Sequence, residues 1–174
     1  QIQKANFIGV HQFGFLERFR IIESAQEGAA LLLNAPYAPE QVWDNIPREV
    51  QEQIIAKRLK VYAINAYDVA VATGMGNRIN TIMQTCFFHL SGILPSEQAI
   101  AKIKQAIVDT YGKRGQAVID RNFAAVDASI ERLHEIPLPE RAEGEVTIPP
   151  LVPEGAPDYV RNVMGPLMAG RGDD

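Results

Sequence analysis

The sequence predicts an α/β fold in which helices cover both faces of a small parallel β-sheet. Short apolar segments alternate with amphipathic segments through the first two-thirds of the chain. One apolar segment is an unbroken run, which is typical of a strand that helices cover on both faces. From position 77 onward the pattern becomes purely helical. Strands that alternate with helices pair in parallel through right-handed crossovers, so these three observations favour a layered α/β unit.

The first part of the chain contains three predicted strands. Residues 6–12, NFIGVHQ, are short and apolar and predict a buried strand. Residues 15–26 carry one helical stripe, which predicts a helix that Gly28 ends. The run AALLLNA, residues 29–35, predicts the second strand, and KVYAIN, residues 60–65, predicts the third. The stripe of the first helix consists of Phe15, Leu16, Phe19, Ile22 and Ala25.

The second part of the chain predicts three long helices. In RINTIMQTCFFHL, residues 78–90, apolar side chains recur at spacings of three and four, the pattern of a buried helical stripe. Ser96 is expected to cap the second helix, which Gly112 ends, and the third covers roughly 113–134. Shorter helix-like segments surround the third strand at 40–46, 48–59 and 66–73. The expected inward-facing residues of the long helices are Ile79, Ile82, Met83, Cys86, Phe87, Leu90, Ile100, Ile103, Ile107, Ile119, Asn122, Phe123, Val126, Ile130 and Leu133.

The predicted fold is therefore a partial, Rossmann-like parallel sheet flanked by helices, with a helical C-terminal part and an extended tail. Sheets contain about five or six strands on average, so we expect residues outside this sequence to complete the sheet. Most of the 11 prolines lie between Pro137 and Asp174. Because each proline removes a backbone donor and fixes φ, this region predicts an extended, Pro-rich tail.

Composition limits the classes of function that the chain can have. The net charge of −4 counts against a nucleic-acid partner, because neutralising phosphates needs a surplus of Lys and Arg. No apolar run reaches the roughly 18 residues that span a bilayer, and the N-terminal residues lack the layout of a signal peptide. The single cysteine, Cys86, forms no internal disulfide, which is typical of a reducing cytoplasm. We therefore expect a cytoplasmic chain without nucleic-acid or membrane partners.

The sequence shows no recognised pattern for metal binding or catalysis. The three histidines, His11, His89 and His134, lie far apart, and no CxxC, HxxxH or HExxH spacing occurs. A GxSxG nucleophile motif and a phosphate-binding P-loop are also missing. We therefore assign no catalytic residue and no metal ligand to this chain.

The turn TGMGNRIN, residues 73–80, has two interpretations. Gly74 and Gly76 allow close backbone approach or positive φ, which Asn77 also tolerates. Arg78 supplies a fixed planar charge, and Asn80 supplies an amide donor and acceptor in the first helical turn. Together these groups suit an anionic, nucleotide-like ligand at a helix start. The alternative is that these residues only end one helix and begin the next, with Arg78 exposed to solvent. The sequence pattern by itself favours this structural interpretation.

Four other residues are more typical of structural roles than of chemistry. Cys86 falls within the apolar stripe of its helix, which predicts a buried, unreactive thiol. His89 lies off that stripe and is expected at a surface or an interface. His11 ends a predicted strand, where it either lines a cleft or serves the structure. Trp43 is expected to anchor packing or an interface.

Several long motifs resemble one enzyme family. They are LLLNAPYAPEQVWDNIP, VQEQIIAKRLKVYAINA, INTIMQTCFFHLSGILP and YGKRGQAVIDRNFAAVDASIERLHEIPLP. These segments closely resemble the gamma domain of pyruvate:ferredoxin (flavodoxin) oxidoreductase, a large multidomain enzyme. The tail IPPLVPEGAPDYVRNVMGPLMAGRGDD resembles that enzyme's entry into its ferredoxin-like, cluster-bearing domain. The resemblance implies that residues 1–136 are the C-terminal portion of the gamma domain and that 137–174 are an extended linker.

The resemblance also implies a role within a larger enzyme. That family oxidatively decarboxylates pyruvate, transfers the acetyl group to coenzyme A and passes electrons to ferredoxin or flavodoxin. By the resemblance, thiamine diphosphate, magnesium and the 4Fe–4S clusters belong to other parts of the enzyme, so this segment is expected to hold none of them alone. The expected partners are the remaining domains of the same enzyme, a homodimer partner, and ferredoxin or flavodoxin.

The gamma domain is implicated in holding coenzyme A, and this role raises the weight of the ligand-binding interpretation of the turn. Asn80 is then the first candidate contact and Arg78 the second, with Gly76 and Asn77 completing the set. The family usually reads GMGGRIN here, whereas this chain has Asn77 in place of the second paired glycine. Two other hypotheses stay open: a structural module for interdomain or dimer packing, and an independent nucleotide-binding protein.

Overall fold

A four-stranded sheet forms the centre of the structure, a computed structural model that describes residues 4–18, 20–140 and 142. The strands are β1 (Ala5–Val10), β2 (Ala25–Asn34), β3 (Lys60–Ile64) and β4 (His134–Ile136), in spatial order β1-β2-β3-β4. β1, β2 and β3 run parallel to one another, whereas β4 runs antiparallel to β3. The predicted α/β fold and parallel pairing are confirmed, and β4 is an additional strand that the sequence did not reveal.

Helices cover both faces of this sheet. The first face carries α1 (Phe15–Arg18), α2 (Pro39–Asn45) and α3 (Arg48–Ala56). The second face carries α4 (Ala66–Ala72), α5 (Asn80–Ser91), α6 (Ser96–Tyr111) and α7 (Gln116–Arg132). Successive residues of β2 point to opposite faces, so its apolar side chains divide between two clusters. Leu31 and Leu33 lie in the first cluster and Leu32 in the second, which explains the unbroken apolar run.

The predicted helix at 15–26 is wrong for most of its length. The structure has the short helix α1, then a 3-10 turn at Ile22–Ser24, and β2 begins at Ala25. The amino group of Lys57 donates hydrogen bonds to the carbonyl oxygens of Ile22, Glu23 and Ala25, at 2.8–2.9 Å. This distant side chain satisfies carbonyls that a longer helix would have used internally, so tertiary contacts override the local periodicity.

Gly28 does not end a helix, as the sequence suggested, but lies inside β2. Its φ is 78°, and its N–H donates to the carbonyl of Lys57 at 2.8 Å. The register with β1 shifts around it, because Ala5 pairs with Ala25 while Phe7 pairs with Ala30. A glycine with positive φ at such a shift is typical of a β-bulge, where the backbone bends out of the ladder.

The last helix ends earlier than predicted. Instead of one helix over 113–134, the chain forms a 3-10 turn at Gly112–Arg114 and then α7, which stops at Arg132. Leu133 is extended, with φ −78° and ψ 129°, and β4 follows it. Ile136 pairs with Val61 of β3 and is buried, so the gain in burial draws this segment onto the sheet edge.

The long helices otherwise bury the stripes that the sequence predicted. The buried positions are Ile79, Ile82, Met83, Cys86, Ile107, Ile119, Asn122 and Val126. The flanking positions are half-buried, namely Phe87, Leu90, Ile100, Ile103, Phe123, Ile130 and Leu133. Within the described ranges, no helix has both the length and the apolar character needed to cross a bilayer. The extended tail predicted for 137–174 falls almost entirely outside the described residues.

Candidate functional site

The first residues of the turn after α4 terminate that helix. The N–H of Gly74 donates to the carbonyl of Val71, and the N–H of Met75 donates to that of Ala70 at 2.8 Å. With Gly74 at φ 76°, this is the Schellman pattern of helix termination. A Cβ at Gly74 would lie 2.9 Å from the Cδ atom of Arg121, whose side chain lies across the glycine. Gly74 therefore terminates α4, which confirms the structural role that the sequence suggested for it.

The next part of the turn presents three exposed residues. Gly76 has φ 65°, and the N–H of Arg78 closes the turn by donating to the carbonyl of Met75 at 3.1 Å. Gly76, Asn77 and Arg78 are all exposed. Asn77 does not adopt positive φ, because Arg58 is the one described non-glycine residue that does. The backbone therefore has no need of glycine at position 77, and asparagine is accommodated without strain.

Asn80 is the candidate residue that reaches a groove. It is the first residue of α5, whose N-cap, Ile79, makes no side-chain capping bond. The groove has a volume of about 440 Å³ and lies between β1 and α5, and its polar lining comes from Asn80, Gln84 and His11. His11 directly follows β1, so the groove opens at the carboxyl end of that strand. Its apolar walls come from Phe7, Gly9, Leu32, Met83 and Phe87.

Asn34 holds the loops at this edge together, and sequence reasoning missed it. Its side chain is buried, its Nδ2 group donates to the carbonyl of His11, and its Oδ1 atom accepts from the N–H of Ala66, both at 2.9 Å. One amide at the end of β2 therefore links the ends of β1 and β3. The available signal was a single polar residue closing the run AALLLNA. A buried side-chain amide is normally hydrogen-bonded, and this one bonds to two backbone groups.

Cys86 and Trp43 are buried, as the sequence suggested. Cys86 is fully buried, and this burial raises the pKa of its thiol to about 12, so the reactive thiolate is suppressed. Trp43 is buried in the first apolar cluster. His89 is half-buried, and its Nδ1 atom lies 2.7 Å from the Oγ atom of Ser96.

Ser96 corrects one prediction about helix capping. The N-cap of α6 is Pro95, and Ser96 is the first helical residue, with no side-chain capping bond. Its hydroxyl instead meets His89, the last-turn residue of the preceding helix. The Ser96 hydroxyl thus contacts the preceding helix instead of capping α6 as the local pattern predicted.

The described residues do not fit a resident metal or iron–sulfur cluster. Such sites require several clustered side-chain ligands, and in the part of the chain that the structure describes, no three His, Cys, Asp or Glu side chains converge. What the arrangement provides is a groove and a turn with amide, guanidinium and backbone N–H donors. These groups can bind an anion and orient it.

Comparison with known proteins identifies the family. Residues 1–132 match the family described as Pyruvate ferredoxin/flavodoxin oxidoreductase. The chain is 52% identical to the pyruvate-flavodoxin oxidoreductase of Rhodospirillum rubrum, with 99% of this chain and 14% of that protein covered. It is 35% identical to the pyruvate:ferredoxin oxidoreductase of Moorella thermoacetica, with 99% of this chain and 15% of that protein covered. The chain thus spans about one-seventh of the length of these relatives.

The fold is also shared with a solved structure. The pyruvate oxidoreductase subunit PORC of Thermotoga maritima superposes with a TM-score of 0.59 at 22% identity, covering 76% of this chain and 66% of that subunit. At this identity the likeness concerns the fold alone. The family match over most of the sequence and the close relatives together give the identification: the chain belongs to the pyruvate ferredoxin/flavodoxin oxidoreductase family.

Proposed function

We propose that this chain is a gamma-domain segment of an enzyme that oxidatively decarboxylates pyruvate to acetyl-coenzyme A and passes electrons to ferredoxin or flavodoxin. The family membership and the names of the relatives support this activity for the whole enzyme. The segment itself is a binding and packing unit, because its described side chains offer no converging metal ligands and its one thiol is buried. Thiamine diphosphate, magnesium and the clusters are then held elsewhere in the enzyme.

Within that enzyme, the segment helps to hold coenzyme A. The observation that carries this assignment is the position of Asn80, at the start of α5 and in the groove beside His11. The groove volume of about 440 Å³ lies in the range of small-molecule sites, which are mostly apolar with a few placed polar groups. An adenosine or pantetheine portion fits the walls formed by Phe7, Met83 and Phe87.

The phosphates of coenzyme A are assigned to the exposed turn that leads into this groove. Arg78 and the free N–H groups of the first turn of α5 provide positive potential for them. Gly76 and Asn77 lie between these donors and the end of α4, so their backbone is accessible to the same ligand. Arg78 is exposed, and a guanidinium matches a phosphate through parallel N–H donors.

Coenzyme A titration of the full-length enzyme tests this assignment. Asn80→Ala and Arg78→Ala are each expected to raise the dissociation constant for coenzyme A about tenfold, the effect of losing one charge-assisted hydrogen bond. Matched controls are Gln98→Ala, an exposed amide in the first turn of α6, and Arg114→Ala, an exposed guanidinium in the 3-10 turn that follows the C-terminal end of that helix. These should change the constant less than about twofold. Unchanged affinity in both test variants would remove the assignment.

Asn77→Gly tests the departure from the usual family pattern. Because position 77 does not use positive φ, the substitution leaves the turn geometry intact and removes only the side chain. If the ligand approaches this backbone closely, affinity for coenzyme A should increase several-fold. An unchanged constant would place position 77 outside the contact.

A second candidate function, interdomain or dimer packing without a ligand, is favoured by two exposed apolar side chains. Val71 on α4 is 71% exposed, and Ile93 after α5 is 72% exposed. A contiguous exposed apolar patch marks a surface that a partner covers, whereas single exposed side chains are ordinary, so this function requires that both side chains lie within a covered interface. Val71→Asp and Ile93→Asp should then disrupt assembly of the enzyme in size-exclusion chromatography, whereas variants in the turn should leave acetyl-coenzyme A formation intact.

A further inference from the structure

A crevice opens at the carboxyl ends of β2 and β3, away from the turn at 74–80. After β2 the chain enters α2, whose Val42 and Trp43 pack in the first apolar cluster. After β3 it enters α4, whose Ala66 and Val69 pack in the second cluster, on the opposite face. In parallel sheets, a crevice forms where neighbouring connections leave to opposite faces, and ligands favour this position.

The antiparallel strand β4 brings two more polar residues to this crevice. Because His134 pairs with Ala63 near the end of β3, the start of β4 lies at the carboxyl edge of the parallel strands. Arg132, the last residue of α7, arrives at the same place. Arg132 and His134 therefore line the crevice together with Asn65 and Asp68, which follow β3. None of these four residues belongs to the turn or to the groove of Asn80.

The polar groups of the crevice interact only weakly with one another. An Nη atom of Arg132 lies 3.7 Å from the Oδ2 atom of Asp68, and the two side chains are 46% and 71% exposed. An exposed pair at this distance contributes little and is readily rearranged. The Oδ1 atom of Asn65 accepts from the N–H of Asp68 at 3.2 Å. Among the described residues, the Asn65 side chain makes this hydrogen bond through its oxygen alone.

The shape of the crevice limits the size of a ligand. Its volume is about 320 Å³, at the small end of the range for ligand sites. One wall is apolar and consists of Pro36, Tyr37 and Pro39 from the segment after β2. The polar wall carries the guanidinium of Arg132, the imidazole of His134, the amide of Asn65 and the carboxylate of Asp68. Donors outnumber acceptors on this wall, and a guanidinium fork matches a planar anionic group.

From this geometry we propose that the β2–β3 crevice is a second binding site, for a small anion that carries a carboxylate or a phosphate beside a hydroxyl group. Arg132 and the Asn65 amide donate to the anionic group, and the Asp68 carboxylate accepts from the hydroxyl. His134 adds a further donor at the edge. The site is distinct from the turn at 74–80, so this assignment stands independently of coenzyme A binding there.

Calorimetric titration of the full-length enzyme with glycerate and, separately, with inorganic phosphate tests the proposal. Arg132→Gln should weaken binding of the probe about tenfold, whereas Arg132→Lys, which keeps the charge and loses the fork, should weaken it less. Arg48→Gln is the matched control, because Arg48 also lies 3.7 Å from an exposed carboxylate, that of Glu52, on a helix outside the crevice. It should alter binding less than about twofold.

Asp68→Asn distinguishes the two kinds of anion. If the ligand is a hydroxycarboxylate, the variant should bind glycerate more weakly, since its best acceptor for the hydroxyl is lost. If the ligand is a phosphate, the variant should bind phosphate at least as tightly, because a like charge is removed. The proposal is overturned if neither probe binds, or if Arg132→Gln and Arg48→Gln bind the probes equally well. Circular dichroism of each variant checks that the fold is retained.

Discussion

Two connecting segments of this molecule are held in place by different kinds of hydrogen bonds. The turn at 74–79 is closed by backbone bonds between residues at most five positions apart. The segment at 20–28 is instead fixed by Lys57, which donates to three of its carbonyl groups and accepts from Gly28 through its own. Local hydrogen bonds thus fix the conformation of the first segment. The conformation of the second depends on a side chain more than 30 residues away in sequence.

This difference implies that the two kinds of segment respond differently to substitution. Removing a long-range hydrogen-bonding side chain should destabilise the whole sheet, because several elements lose their common anchor. Removing a local determinant should raise the free energy of one turn and leave the sheet intact. Three substitutions test this contrast by urea-induced unfolding of the 174-residue chain, and a fourth, at a residue independent of both segments, sets the lower end of the scale.

The largest effect is expected from Asn34→Leu. The substitution removes the partner of the buried N–H of Ala66 and of the partly buried carbonyl of His11, which should lower the free energy of unfolding by about 2–4 kcal/mol. Asn45→Leu is the control, because the Asn45 amide donates a solvent-exposed hydrogen bond to the carbonyl of Gln41 within its own helix. A loss at position 34 no larger than the control's would contradict the role of Asn34 as a link between strand ends.

Lys57→Met should have the next largest effect. Methionine keeps the apolar stem and removes three hydrogen bonds from a charged donor, so the expected loss is about 2 kcal/mol. Hydrogen exchange should accelerate at residues 22–28 more than at the turn after α4. Lys60→Met, at an exposed lysine, should stay within about 0.5 kcal/mol of the parent chain.

Gly74→Ala should cost less, about 1–2 kcal/mol, through positive φ and the contact with Arg121. Gly76→Ala isolates the first cause, because a Cβ there meets nothing within 4 Å although φ is also positive. The double variant Gly74→Ala/Arg121→Ala should recover the part due to contact and retain the part due to φ. Equal losses at positions 74 and 76 would show that the Arg121 side chain moves aside freely.

The smallest effect concerns Cys86, whose burial is independent of both segments. Burial raises the pKa of its thiol from 9.0 to about 12, so above pH 9 the unfolded chain loses this proton while the native chain keeps it. The contribution is fully present below pH 9 and is lost as pH rises toward 12. Between pH 7.5 and pH 9.5 the parent chain should therefore lose about 0.8 kcal/mol more than Cys86→Ala does. Identical pH dependence in the two chains would mean that the thiol is not protected.

The sequence predicted well those elements whose determinants are local. The stripes of α5 and α7, the apolar run of β2 and the glycine stop after α4 are each encoded within a few neighbouring residues. The failures have a common cause. The helix predicted at 15–26 is replaced by contacts to Lys57, and the end of the helix predicted at 113–134 is replaced by pairing with β3.

The candidate site was predicted only in part for the same reason. Asn80 and the exposed turn follow from a glycine-rich pattern next to a helix start. Arg132 and Asn65 line one crevice, and Asn34 links neighbouring strand ends, through strand order and the reversal of β4, neither of which leaves a local signature. An antiparallel strand of three residues is too short to produce a recognisable alternation.

The arrangement of the sheet has a practical consequence for handling this polypeptide. In the described part of the molecule, β1 pairs with β2 alone, so the N–H and C=O groups along its other margin form an unprotected template for self-association. Solutions of the separate 174-mer should therefore become turbid or oligomeric as concentration rises. Dilution, or substitution of a residue on that edge of β1 by lysine, should reduce this self-association.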